Sequence, residues 1–325
     1  MVDLYANTIG AAQTWVFETM VQPALFFLGI INLDEDAFAA TEWLILGLIE
    51  IALLYAILRP LEARYPAEAW TDRTAVRIDV LYTFLHRFGI VPLAFFALLT
   101  PMADAFEGSI RMLGFTAYHL EDWIPGLNES ALASFFVYLV LLDFAEYWRH
   151  RWSHKFQWWW ELHALHHSQR QMSFWSDNRN HLLDDLSQAL FAAVIAILIG
   201  VSPGQFFMAI IATRMLENLA HANIKMSFGA IGERLLVSPR FHRRHHAIGF
   251  GHEGVHRGCN FAVLFPIWDV IFRTADFTPD FPATGIRDQL SGRDYGRGFW
   301  SQQWLGARRM CARLLPRTRS AAHER

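Results

Sequence analysis

Five long apolar stretches limit this chain more than anything else in it. They run over 15–33, 43–58, 80–102, 132–148 and 186–220. A helix that crosses a bilayer needs roughly 17–25 mostly apolar residues. The first four stretches read as such spans. The fifth is interrupted by GVSPG at 200–204, and Gly and Pro punctuate strongly, so it reads as a helical hairpin. The expected fold is an all-α membrane protein of about four transmembrane helices plus the hairpin, in one domain over 1–325. Composition agrees: 53% of residues are hydrophobic and 18% charged, with 13 Trp and 27 Phe, where soluble domains carry about 25% charge. A net charge of −3 without a basic arm argues against a nucleic-acid partner. The two cysteines, Cys259 and Cys311, lack the spacing of a metal finger or redox pair, so no disulfide framework is expected. The N-terminal stretch lacks the basic start of a cleavable signal peptide.

Basic residues orient the scheme. Arg59, Arg64, Arg73 and Arg77 follow the second stretch. Arg149, Arg151, Lys155, Arg170 and Arg179 follow the fourth, and Arg308, Arg309, Arg313, Arg317 and Arg319 lie near the end. The segments 34–42 and 103–131 are acidic, with Arg111 their only basic residue. The positive-inside rule then puts every basic segment on the cytoplasmic side. Residues 275–325 read as a basic cytosolic tail.

That same side receives the histidines. HRWSH at 150–154, HALHH at 163–167 and HRRHH at 242–246 hold eight of the chain's 15. If the blocks are helical, His150 and His154 share a face. So do His163, His166 and His167, and again His242, His245 and His246. Neutral imidazole is the commonest protein metal ligand. Eight such nitrogens exceed one ion's needs and point to two, in a site suited to Fe, Zn, Cu or Ni. The bland alternative for HRRHH is a lipid-headgroup patch built on Arg243 and Arg244. Asp143 and Glu146 share a helical stripe with His150 and are candidate acceptors for the rings' second N–H. Within the spans, Glu50 stands at a depth comparable to His86 and Arg87 and is expected to pair with one of them or to line a passage. The aromatic cluster FQWWWELH at 156–163 reads as an interfacial belt.

Over 132–274 the chain resembles the fatty acid hydroxylase/sterol desaturase superfamily of membrane di-iron oxygenases. The likeness rests on EYWRHRWSH, HALHH and HRRHH, on NRNH ending at His181, on HAN starting at His221, and on the closing CNFAVLFPIWDVIFRT. Phe261, Ala262 and Arg273 depart from the family's closing pattern, and His252 and His256 stand in an insertion that reads as a loop feature. The resemblance implies metal ligation by His150, His154, His163, His166, His167, His181, His221, His242, His245 and His246. It also makes Asn260 and Asp269 of the closing segment, beside Asp143 and Glu146, candidates for supporting the centre.

It further implies two Fe ions, with zinc able to replace them in a purified sample. The implied activity is O2-dependent hydroxylation of a C–H bond in a membrane lipid. Electrons would come from a ferredoxin or cytochrome-type donor with an NAD(P)H reductase, since the chain has no haem, flavin or dinucleotide signature. The Arg- and Ala-rich style suggests a bacterial inner membrane. A desaturase would use the same ligands. A membrane metal transporter or store is the alternative from another class, opposed by histidines at span ends rather than at the bilayer midplane. A zinc hydrolase ranks last, as no His-Glu-x-x-His is present.

Overall fold

The computed structural model describes residues 2–114 and 119–315. Arg317 and Arg319 fall outside them. The described chain is mainly helical and has no strands; its only β features are two isolated bridges. The helices are α1 (Val2–Val16), α2 (Gln22–Leu28), α3 (Asp34–Arg64), α4 (Arg73–Arg87), α5 (Ile90–Met112), α6 (Ala131–Lys155), α7 (Gln157–His167), α8 (Leu182–Ile199), α9 (Pro203–His221), α10 (Gly229–Leu235), α11 (Pro239–His245), α12 (Ile267–Ile271), α13 (Arg287–Leu290) and α14 (Phe299–Leu314).

Four are long and apolar enough to cross a membrane: Ile31–Arg64, Ile90–Met112, Ala131–Lys155 and Leu182–Ile199. The number is as expected, but the set is not. The stretch 15–33 is broken by a π turn at Phe17–Val21, by Pro23 in the first turn of α2, and by Gly29, which ends α2 at φ 70°. This N-terminal segment packs back on the start of α3, through Phe17 against Phe38 at 5.2 Å and Gln13 Nε2 donating to Phe38 O at 2.9 Å. The stretch 80–102 is divided at Gly89, which adopts φ 79° and separates α4 from α5. The hairpin is present. Gly200 in the left-handed region ends α8, and Ser202 with Pro203 starts α9.

The bundle has two distinct ends. At one, His119 donates to Gly200 O at 2.8 Å, and the Glu121 carboxylate accepts from Ser134 and Tyr138. At the other, Pro66 bridges Ile224 and Lys225 N donates to Tyr65 O at 2.8 Å. There the Glu62 carboxylate accepts from Phe174 N and Asn223 N at 2.9 and 3.0 Å. All three histidine blocks lie at this second end, so α8 and α9 together return the chain to the side it left. Residues 275–314 do not trail away as a tail. They fold onto α7, whose buried Glu161 pairs with Arg293 and with Arg313. Gly306 permits the close approach: a Cβ there would come within 2.5 Å of the His181 ring.

Candidate metal centre

Each histidine is carried inward by ordinary helix logic. His150 and His154 end α6, and the last turn of α7 presents His163, His166 and His167. Short α11 starts at Ser238, whose hydroxyl caps Phe241 N at 3.1 Å, and delivers His242, His245 and His246. The result is two groups of converging ring nitrogens. His150, His154, His163, His167 and His245 form one; His166, His221, His242 and His246 form the other. Within each group the ligand atoms lie within 4.8 Å of one another, and every ring is buried.

The five-histidine group is clamped from behind. The Nδ1 atoms of His150, His154 and His245 meet the carbonyls of Phe261, Arg257 and Cys259 at 2.8, 3.2 and 2.7 Å. The Asp184 carboxylate accepts from His163 Nδ1 at 2.8 Å. A carbonyl or carboxylate can only accept, so these four rings carry their proton on Nδ1 and turn a bare Nε2 lone pair inward. Those four Nε2 atoms are buried and have no hydrogen-bond partner among the described residues. Buried polar atoms are normally satisfied; a cation at the centre satisfies all four together.

The three carbonyls come from one strap, 257–261, shaped by Arg257 and Asn260 at φ 57°. Such a φ is strained for most residues and tolerated by Asn. Asp269 holds the strap by accepting from Phe261 N, Ala262 N and Thr274 Oγ1 at 2.9, 2.8 and 2.6 Å. Asn260 donates to Phe241 O and Asp276 O. Asp143 fixes the segment that follows, accepting from Leu264 N, Phe265 N and Trp268 Nε1.

The four-histidine group is assembled differently. His221 donates its Nδ1–H to Glu217 O at 2.8 Å. Its Nε2 is therefore a lone pair, and it lies 3.2 Å from His166 Nε2 and 3.0 Å from His242 Nε2. His246 Nε2 is 3.1 Å from His242 Nε2. Two nitrogens bound about 2.1 Å from a common ion at right angles would stand roughly 3.0 Å apart, so these spacings fit a shared metal. Burial, reinforced by the neighbouring rings, pushes His166, His167, His242 and His246 well below their ordinary value, and burial brings His245 to about 3. Neutral rings are the form that binds metal.

Nine of the ten histidines expected to ligate are thus brought together, and His181 is the exception. Its Nδ1 accepts from Leu183 N at 3.1 Å and its Nε2 donates to Gln303 O at 2.7 Å, so it caps α8 and keeps no lone pair for a metal. Asp143 and Glu146 do not touch the rings. Asp143 orders the closing segment, and Glu146 binds Arg149 and Gln188. Arg243 and Arg244 form no headgroup patch, being buried and paired with Glu68, Asp276 and Asp280. Trp159 and Trp160 leave the expected belt: Trp159 donates to Asp184, and Trp160 packs against His154 and His167. His252 stacks on Trp160 outside both groups.

Sequence reasoning missed Asp184 and the carbonyl strap. Asp184 had a signal, an acid in the first turn of an apolar helix. The carbonyls had none.

A sequence profile of the fatty acid hydroxylase family matches residues 135–274. An ornithine lipid hydroxylase from Rhizobium tropici is 26% identical over 258 residues, covering 79% of this chain and 72% of that protein. Alkylglycerol monooxygenases from Caenorhabditis elegans and Homo sapiens are 27% and 28% identical over 150 and 136 residues, each matched over 28% of its own length. The same segments cover 46% and 41% of this chain. No solved structure matches significantly. The segment 135–274, which contains all nine converging histidines, is the part of the chain that is similar to the fatty acid hydroxylase family.

Proposed function

We propose that this chain is an integral membrane di-iron lipid hydroxylase using O2 and external electrons. The observation that carries the reading is nine buried imidazoles in two adjacent groups, with the tautomers of the first group preset by carbonyls and Asp184. His150, His154, His163, His167 and His245 would hold one iron, and His166, His221, His242 and His246 the other. Bound iron would supply the dioxygen activation that oxidising an unactivated C–H bond requires. The protein's own residues do the rest. The strap and Asp269 fix ring orientation, burial excludes bulk water, and the span ends bring the site beside the bilayer.

One oxygen atom enters the lipid and the other leaves as water, with two electrons and two protons drawn from outside. A ferredoxin or cytochrome-type donor served by an NAD(P)H reductase fits a chain without haem or flavin motifs. The lipid hydroxylase and monooxygenase relatives support a lipid substrate. The positive-inside pattern supports a bacterial inner membrane with the metal end facing the cytoplasm.

The test is comparative lipid mass spectrometry of a host with the intact protein and with His245→Ala. One lipid class should gain the mass of one oxygen only with the intact chain. A loss of two hydrogens would make the enzyme a desaturase, and no change in any lipid would sink the reading.

A further inference from the structure

Beside the four-histidine group lies a second polar cluster, set among apolar helices. Its centre is Arg87, at the end of α4, with a side chain 1% exposed. Glu50, halfway along α3, approaches Arg87 Nη1 at 2.8 Å, and Asp177 lies 3.6 Å from Nη2. Neither contact is aligned as a hydrogen bond. None of the three side-chain nitrogens of Arg87 donates one among the described residues. Glu50 Oε1, Asn178 Nδ2 and Asn218 Oδ1 are likewise buried and without such a partner. Arg214 and Glu217 of α9 lie within electrostatic reach of Arg87. The cluster is built in: α3 and α4 approach so closely at Gly47 that a Cβ there would stand 1.6 Å from Arg87 O. It is also joined to the metal centre. Asp177 Oδ1 lies 3.4 Å from His221 Nδ1, and Asn218 Nδ2 donates to Asp177 Oδ2 at 3.3 Å.

A guanidinium buried beside a carboxylate still needs hydrogen bonds for its remaining N–H groups. Charged groups inside a membrane bundle are functional candidates for that reason. Here Arg87, ion-paired to Glu50 but with no aligned hydrogen bond, and Asn178 Nδ2 offer donors, and Glu50 Oε1 and Asn218 Oδ1 offer acceptors, within one cluster. A bare phosphate would satisfy only the donors. A hydrocarbon chain would satisfy none.

We infer that Arg87, Glu50, Asp177 and Asn218 form a binding site for the polar group of the lipid substrate, of a class that offers an acceptor and a donor together, as an amide or aminoacyl headgroup does. The inference rests on the lipid hydroxylase reading. Arg87 takes the carbonyl or carboxylate oxygen, and Glu50 and Asn218 take the N–H or ammonium. The lipid is thereby held next to His221 and the four-histidine group.

The test uses the full-length, iron-loaded protein in nanodiscs. Three probes of equal chain length are titrated: an N-acyl amino acid lipid, a free fatty acid and phosphatidylglycerol. Wild type should bind the first at least about tenfold more tightly than the other two. Arg87→Lys and Glu50→Gln should each abolish that preference while iron content stays at the wild-type value. Equal affinity for all three probes in wild type, or an unchanged preference in both variants that fold and keep iron, overturns the site and leaves a structural ion pair. Two independent variants guard against one failing to fold. If wild type shows the Arg87-dependent preference yet oxidises no lipid, the hydroxylase reading falls and the binding site stands.

Discussion

Four of the five rings in one histidine group are braced from behind by carbonyls or by Asp184. In the other group only His221 has such a brace, while His166, His242 and His246 leave Nδ1 without a partner among the described residues. Hydrogen bonds to the far nitrogen fix tautomer and orientation and raise ligand basicity. The five-histidine group is therefore set before any ion arrives. The four-histidine group is set by the spacing of α7, α9 and α11, and its rings meet one another through Nε2. It also has one ring fewer and adjoins the Arg87 cluster. The two groups therefore differ in how firmly their rings are braced, four of five in the first and one of four in the second.

The sharpest way to break this comparison is to delete one ring from each group. His245→Ala should empty the five-histidine group and stop turnover, and His246→Ala should do the same to the other. Each variant should retain one iron instead of two by elemental analysis. Loss of both ions from either variant would show that the groups form one cooperative site.

Acid comes next. Burial holds His166, His167, His242 and His246 well below 6.5 and brings His245 to about 3. Below pH 6.5 the unfolded chain takes up protons that these buried rings refuse, so stability falls as pH drops toward 3 and is flat above 6.5. Thermal unfolding of the metal-free protein measures this, and iron should leave over the same range. A melting temperature independent of pH from 7 to 4 would contradict the burial argument.

A smaller effect separates the groups. Asp184→Asn keeps an acceptor for His163 but removes its charge. Metal affinity should weaken roughly 10–100-fold in the five-histidine group alone, as read by competitive chelation. Weakening in both groups would dissolve the distinction. The smallest effect belongs to His181. Replacement by Gln should cost about 1 kcal/mol as a lost helix cap and leave two irons bound. A missing iron would return His181 to the ligand set.

Much of this was legible in the residues. Apolar stretches announced a helical membrane protein, and the three His-rich blocks announced converging rings that could hold metal, because periodicity and side-chain chemistry are local properties. The errors lie where a window of average hydropathy met a local break. Pro23 and Gly29 dismantle the stretch 15–33, and Gly89 splits 80–102. His181 shows the same limit at the site. As a residue type it could be a ligand, and only its neighbours Leu183 and Gln303 consume its lone pair.

The residue pattern carries the fold class, the end of the bundle that holds the histidines, and eight of the converging imidazoles, since helical spacing places the rings of each block on a common face; His221 came only from the family resemblance. Only the tertiary structure decided how they divide, five and four, and what holds them. The partners are main-chain carbonyls of Arg257, Cys259 and Phe261 and an acid from another helix. A carbonyl is common to every residue, so nothing in a side-chain pattern marks the three that matter. Their positions exist only once Asp269 and Asp143 have bent the closing segment over the site.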